Sequence, residues 1–280
     1  MTRLSVIIAT YNKPQFLEKV LHGFSLQTDT DFEVVIADDG STQETTDLLN
    51  RVRASGVQIV HVWHEDRGFR KTEILNRAIL VAKGDYFLFT DGDCIPRADL
   101  ISVHRRLARS GRYVAGGYVK LPASISDSLS PSDVESGRFA DLKWLRSRGW
   151  KPRRRALRLS RSWRLASLYD WITPTAADFQ GNNVSAWRDS IVDVNGFEGD
   201  MGYGGLDQAL GYRLQNAGVR GIQARHRAVT MHLHHDRPYR DQAIVRENKN
   251  LMKRIRREKE VRAHRGLAEL GPDPSLRVSR

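Results

Sequence analysis

Along the first 120 residues, short apolar blocks alternate with longer stretches whose apolar positions recur at helical spacing. Leu4–Ala9 reads as a buried strand that runs into a polar turn at Thr10–Pro14. Phe16, Leu17, Val20, Leu21 and Phe24 then share one helix face, and Phe32–Ala37 is a second strand. A helix at about Gln43–Ala54, a strand at Val57–Trp63, a helix at Lys71–Ala82 closed by Gly84, and a strand at Tyr86–Thr90 follow. Leu100–Ser110 and Tyr113–Val119 add one more helix and strand. Such alternation predicts an α/β fold with a mostly parallel central sheet flanked by helices.

The pattern breaks after Val119. Residues 121–137, rich in Ser and Asp with two prolines, predict a loop, and residues 138–170 predict basic amphipathic helices interrupted by Gly149 and Pro152. Order resumes near Phe179, with a helical turn at Asp189–Asn195, a helix at Asp207–Ala217 closed by Gly218, and a strand at Ala228–Leu233. A basic helix is predicted from about Tyr239 to Arg265, and the last ten residues are expected to fray. Four segments result: a first half at 1–120, a basic loop and helical insert at 121–175, a second half at 176–238, and a basic helix and tail at 239–280.

In parallel sheets ligands gather at the carboxyl ends of the strands. Two acidic clusters lie at such ends, Asp38-Asp39 after the second strand and Asp91-Gly92-Asp93 after the fourth, so they are predicted to converge. Carboxylates flanking a glycine suit a hard divalent ion such as Mg²⁺ or Mn²⁺, and Gly92 lets backbone approach a phosphate. The competing reading is a turn held by Asp side chains. Asp38 and Asp39 suit the N–H groups of a nucleobase or the hydroxyls of a ribose, since Ser41 or Thr42 is the better cap for the helix that follows.

His232 and His234 are two apart in an apolar strand and are expected on one face, with Met231, Leu233 and His235 on the other. Imidazole favours Mn²⁺ over Mg²⁺, so this segment offers a ligand to complete a site begun by Asp93. Asp207 follows Gly202-Tyr203-Gly204-Gly205 and opens a helix, where the dipole favours an ionised carboxylate. It reads either as an N-cap or as a general base.

Composition adds a charge asymmetry. The formal net charge is +12, and ten basic residues with no acid lie between Lys143 and Leu165. That imbalance implies a polyanionic neighbour: anionic lipid, a phosphorylated glycan or nucleic acid. No apolar stretch approaches the roughly 20 residues of a membrane span. No secretory leader pattern opens the chain, and Cys94 is the single cysteine, so a cytoplasmic location is expected.

Together these segments resemble the family-2 glycosyltransferases of the GT-A (Rossmann-like) fold. Leu4–Asn12 is similar to that family's first strand and loop, Phe32–Thr42 to its second strand with the acidic nucleoside-binding pair, and Asp91-Gly92-Asp93 to its DXD element. Gly202–Asp207 resembles the glycine-rich acidic motif of galactosyltransferase-type halves, with Leu206 where that motif has Glu. Met231-His232-Leu233-His234 resembles their Met-x-x-His metal element, which favours His234 and leaves His232 open. Gly181–Ser185, with Asn183, is similar to a segment lining the sugar site. Gly68–Thr72 with Leu75-Asn76 looks like a stretch common in bacterial enzymes of lipopolysaccharide core, capsule and related glycans.

The resemblance implies an inverting, metal-dependent enzyme acting on a nucleotide-sugar, with a UDP-sugar favoured. Thr10, Tyr11, Asp38, Asp39, Arg70, Lys71, Asn76, Asp91 and Gly92 would hold the nucleotide, and Asp93 with His232 or His234 the Mn²⁺ or Mg²⁺. Asn183, Gly204, Gly205 and Asp207 would face sugar and acceptor, a glycan or glycolipid hydroxyl, with Asp207 as base. The basic insert suits a phosphorylated acceptor or peripheral contact with an anionic membrane, with Trp144, Trp150 and Trp163 at headgroup depth. A sugar-nucleotide nucleotidyltransferase would want a glycine-rich basic loop where Thr10–Pro14 stands. A nucleic-acid-binding module would leave both acidic strand ends without a role, so nucleic acid is not an expected partner.

Overall fold

The structure, a computed structural model, describes residues 3–152, 154–236 and 241–280. Among these, nine strands form one sheet: β1 (Leu4–Thr10), β2 (Phe32–Asp38), β3 (Ile59–Trp63), β4 (Tyr86–Asp91), β5 (Cys94–Pro96), β6 (Arg112–Lys120), β7 (Asn183–Trp187), β8 (Arg220–His232) and β9 (Arg277–Ser279). Their order across the sheet is β5-β8-β6-β7-β4-β1-β2-β3-β9. The run β4-β1-β2-β3 is parallel, as is β6 against β8, while β7 enters antiparallel between β4 and β6.

Every residue of β1 is buried, the signature of a strand covered on both faces. Its side chains divide between two apolar layers. Leu4, Val6 and Ile8 join Val34, Ile36, Tyr86 and Leu88 on one face. Ile7 and Ala9 join Val35, Ala37, Phe87 and Phe89 on the other. Helix Pro14–Ser25 covers the first layer through Leu17, Val20, Leu21 and Phe24, and helix Lys71–Val81 covers the second through Ile74, Leu75, Ala78 and Ile79.

The strand expected at Ala228–Leu233 is the end of a longer one, because β8 begins at Arg220. Its partners β6 and β8 slip out of register in the middle: Gly116 faces Ala224, but Gly117 faces Val229. The bulge demands a glycine, since a Cβ on Gly117 would lie 2.1 Å from the carbonyl oxygen of Arg225.

Residues 121–137 are not an open loop. Short helices occupy Ala123–Ser128 and Pro131–Glu135, the second opened by a capping box between Ser130 and Asp133 with Pro131 in its first turn. The basic insert forms helices Leu142–Ser147 and Trp163–Ile172 and 3₁₀ turns at Arg138–Ala140 and Arg154–Leu159, broken around Gly149 as expected. Leu145 and Leu159 are buried in the first apolar layer, each such burial worth about 2 kcal/mol, so the insert shares the core of the sheet.

The predicted start of the C-terminal helix at Tyr239 lies outside the described residues. The helix is described over Gln242–Glu258, capped by Asp241 and ended by Lys259 in the left-handed region. The last residues do not fray. β9 pairs antiparallel with β3, Arg53 donates to the carbonyl oxygen of Ser279 (3.0 Å), and Arg277 lies over the Trp63 ring. The free edge of β3 offers backbone groups that three residues of tail satisfy. No described helix is long and apolar enough to cross a membrane.

Candidate active site

Parallel register brings the two acidic strand ends to either side of β1: Ala9 pairs with both Ala37 and Asp91, and Thr10 pairs with Asp38. A cleft of about 650 Å³ opens there. Thr10, Tyr11, Asp39, Lys71, Asp91, Gly92, Asp93, Gly204, Gly205, Asp207 and His232, all singled out in the sequence, line it.

Asp39 faces the cleft with its carboxylate anchored by His64 Nε2 (2.8 Å) and the backbone N–H of Arg70 (3.1 Å). Burial raises its pKa against these bonds. The loops after β1 and β2 are tied together, because Asn12 accepts from the N–H of Thr42 and its own N–H donates to Ser41 Oγ. The wall beside Asp39 is thus fixed before a ligand arrives.

Four expected contacts are not in the cleft. Asp38 is fully buried, accepting from the N–H of Ser41 and pairing with His61 Nε2 (2.9 Å), so it shapes the turn rather than meeting a nucleoside. Arg70 directs its guanidinium to Glu73 and the carbonyl of Glu65, because helix Lys71–Val81 starts there and turns it aside. Asn76 is buried and exchanges two 2.8 Å hydrogen bonds with the backbone of Phe197. Asn183 donates to the carbonyls of Gly117 and Ala228 and accepts from His104 Nε2, pinning β6, β7 and β8 together. Each is held by partners within the fold, and none of the four side chains lines the cleft.

The histidine assignment changes too. β8 ends at His232, so alternation stops there and His234 turns outward, exposed, with its N–H on Ser126 Oγ. His235 comes back instead: its Nε2 lies 2.7 Å from Asp93 Oδ2, and its ring stacks on that of His232 at 5.5 Å. His232 Nε2 lies 3.9 Å from Asp93 Oδ1.

Whether these groups suit a cation follows from their hydrogens. His232 Nδ1 and His235 Nδ1 each face a backbone carbonyl oxygen, of Leu233 and Asp236, which only accepts. Both Nδ1 atoms therefore carry the proton, and in the neutral rings both Nε2 lone pairs point toward carboxylate oxygens. Lone pairs facing lone pairs require a positive charge there, met by a second ring proton or by an ion in its place, and one carboxylate with two imidazoles is a set suited to a borderline divalent ion. Burial opposes the charge on Asp93, but His235 and His232 hold its carboxyl well below the usual range. Cys94 is adjacent, donating its S–H to Asp93 Oδ1 (3.2 Å), and burial and the nearby aspartates push its thiol pKa up.

Opposite stands Asp207. Gly205, at φ +91°, caps helix Leu206–Asn216, so Asp207 belongs to the first turn and is not the N-cap. Gly181 lets it in, for a Cβ there would lie 2.4 Å from Asp207 Oδ1. That oxygen has no hydrogen-bond partner among the described residues. Burial lifts the carboxyl from an ordinary 3.8 to about 6, Lys71 opposing and Asp91 adding to the rise. Lys71 bridges the groups: its Nζ is 2.6 Å from Asp91 Oδ1, and although burial disfavours its charge, Asp91, Asp207 and Asp93 outweigh that and keep it protonated. Tyr118, Gln180, Phe69 and Tyr203 also line the cleft without having been singled out individually as ligands, since aromatic and amide side chains carry no spacing pattern.

Comparison with known proteins places this geometry. Residues 5–158, more than half the chain, match the profile of Glycosyl transferase family 2. The chain belongs to that family. It is 29% identical over 237 residues to a validoxylamine A glucosyltransferase of Streptomyces hygroscopicus subsp. jinggangensis, covering 77% of this chain and 52% of that one. It thus spans about half the length of the curated relatives it matches first. Staphylococcus aureus TarS 1–349, solved with UDP-GlcNAc, superimposes with a TM-score of 0.61 at 15% identity, over 95% of this chain and 68% of that one. A mannosyltransferase of Pyrobaculum calidifontis, solved with GDP-Man and Mn²⁺, gives 0.56 at 22% identity, over 85% and 59%. The shared fold is the GT-A arrangement of a central sheet between helical layers.

Proposed function

We propose that this chain transfers a sugar, with inversion, from a nucleotide-sugar to a hydroxyl of a glycan or glycolipid acceptor, with a UDP-sugar as favoured donor and bacterial surface polysaccharide as the setting. The observation that carries this is the placement of Asp39, Asp93 and Asp207 on one cleft, with Asp207 Oδ1 unpartnered. Asp39 and the adjoining backbone of Thr10 and Tyr11 form the nucleoside end, and Asp93, His232 and His235 the metal-holding end. Mn²⁺ or Mg²⁺ bound there supplies charge neutralisation for the departing diphosphate. Lys71, held charged next to Asp91, adds a fixed cation to that end of the cleft. Asp207 accepts the proton of the acceptor hydroxyl as its oxygen bonds to the anomeric carbon and the diphosphate oxygen leaves from the opposite face. The two solved neighbours bind UDP-GlcNAc and GDP-Man with Mn²⁺, which supports the donor class and leaves the base to experiment.

Thermal shift with UDP-, GDP- and dTDP-sugars, with and without Mn²⁺, tests the reading. Preferential binding to the folded state should raise Tm for one nucleotide base, and more so with metal. No stabilisation by any nucleotide-sugar with metal present would overturn it.

A further inference from the structure

A second cavity, of about 110 Å³, lies beside the cleft and shares Tyr118 and Gln180 with it. Arg155, Arg158 and Arg225 line it, with Asp178 as the acidic member of the wall. Its construction follows from the β-bulge: where β6 and β8 slip between Gly116 and Gly117, Arg225 falls in the stretch of β8 that has no partner in β6. Arg225 is then steadied by Thr175 Oγ1 (3.0 Å), and Arg158 donates to the carbonyl oxygen of Tyr118. Each of these two guanidiniums keeps further N–H donors beyond its one fixed bond.

The arginines are not neutralised from within. Among the described residues none of the three is paired with a carboxylate, and nearby Asp170 is engaged by Arg227 (2.7 Å) and His226 (3.0 Å). Burial, then the charges of Arg225 and Arg155, depress the pKa of Arg158, the mark of cations crowding one another. Converging guanidinium forks match the tetrahedral oxygens of a phosphoryl group, which accepts several charge-assisted hydrogen bonds at once.

Position sets the pocket beside the base, while Lys71 and the metal-holding end already serve the donor's diphosphate, which leaves these arginines to the acceptor. The shared residues are remote from the Asp39 end. Gln180 precedes Gly181, which packs directly on the Asp207 carboxyl, and the Tyr118 ring is 5.8 Å from that of His232. We infer that this pocket binds a phosphoryl group carried by the acceptor, holding it while a hydroxyl of the same molecule meets Asp207. This inference rests on the glycosyltransferase reading and deepens it. The phosphoryl group is not consumed: the bond from the anomeric carbon to the diphosphate breaks, that to the acceptor oxygen forms, and the proton passes to Asp207.

The test compares wild type with Arg155→Gln and Arg225→Gln, leaving Arg158 intact because it also ties Tyr118. Titration calorimetry with inorganic phosphate and with glycerol 3-phosphate should show binding that weakens about ten-fold or more in each variant, the loss expected for a charged hydrogen bond. UDP affinity with Mn²⁺ and slow hydrolysis of the donor by water should stay unchanged. Vesicles containing phosphatidic acid form the lipid arm. Loss of vesicle binding in R225Q alongside loss of glycerol 3-phosphate binding identifies a lipid-borne acceptor, and loss of glycerol 3-phosphate binding alone a soluble one. Phosphate affinity equal in all three proteins, or absent in wild type, overturns the pocket while UDP binding keeps the enzyme reading intact. If UDP also fails to bind, it is the enzyme reading itself that falls.

Discussion

His235 Nε2 lies 2.7 Å from Asp93 Oδ2 while the Nδ1 of the same ring is bound to the carbonyl oxygen of Asp236. Because that carbonyl fixes the proton on Nδ1, the 2.7 Å contact with Asp93 is an imidazolium–carboxylate hydrogen bond through a second ring proton, which an ion ligated by both atoms would displace. His232 repeats the arrangement through Leu233. His235→Ala should therefore weaken Mn²⁺ binding by roughly ten-fold to a hundred-fold. Mn²⁺ titration followed by electron paramagnetic resonance, with no donor present, reads this directly. His234→Ala, which removes an exposed ring, should leave the affinity unchanged. Equal losses in both variants would refute the reassignment from His234 to His235.

Asp207 gives a prediction with two signs. Its folded-state pKa of about 6 lies above the ordinary 3.8, so ionisation is disfavoured by folding and the charged form destabilises the protein above about pH 6. Asp207→Asn should abolish transfer yet raise Tm by a few degrees at pH 8. The gain should shrink as pH falls from about 6 toward 3.8 and vanish below that, where the wild-type carboxyl is protonated in both states. Wild-type kcat/KM should fall below about pH 6 as the base is lost. Calorimetric scans of both proteins across pH check the stability half, and a variant no more stable than wild type at pH 8 would contradict it.

Much of this was legible in the residues. Apolar runs and helical spacing over the first 120 positions anticipated the order of strands and helices there except for the three-residue β5, because a strand buried on both faces has to be apolar throughout, as β1 is. Asp39, Asp91, Asp93 and Asp207 were found by their place at strand and helix ends. What spacing alone does not reveal is which of two neighbouring polar groups the fold itself satisfies. Asp38 and Asp39 are adjacent, yet His61 and Ser41 take the first and leave the second to the cleft. Asn76 and Asn183 look equally available until their backbone partners, 121 and 66 residues away for Phe197 and Gly117, are in view. The turn that brings His235 back depends on where β8 stops, which period-2 alternation does not encode.

The Asn183 network is structural and should behave so. Its Nδ2 donates to two carbonyls, so its Oδ1 accepts from His104 Nε2–H, which leaves His104 Nδ1 to accept from Ser185 Oγ (2.6 Å). Tyr86 in turn donates to Ser185 Oγ (2.8 Å). Burial holds His104 neutral, its pKa lowered to about 4, which this chain of donors requires. Asn183→Ala would leave His104 Nε2–H and two carbonyls unpaired, for a loss of roughly 3 kcal/mol. Urea unfolding measures it, and UDP affinity of the folded fraction should change little.

Membrane contact, expected from the basic insert, would rest on different residues from those first singled out. Trp144, Trp150 and Trp163 pack against the core, and Trp163 lies under the guanidiniums of Arg106 and Arg227. On helix Trp163–Ile172 it is Leu165 (48% exposed), Leu168 (45%), Trp171 (83%) and Ile172 (53%) that face outward, on the side opposite buried Ala166 and Asp170, with exposed Arg161 and Arg164 at the start. An apolar stripe flanked by cations fits an anionic bilayer surface, at roughly 1 kcal/mol per cation near the surface. Wild type should sediment with phosphatidylglycerol vesicles at low salt and be released as salt rises. The pair Leu168→Ser and Trp171→Ser should lose most of that binding with Tm unchanged, because both side chains already stand in water. Undiminished sedimentation of the double variant would show that charge alone, and not this helix face, draws the protein to the vesicle.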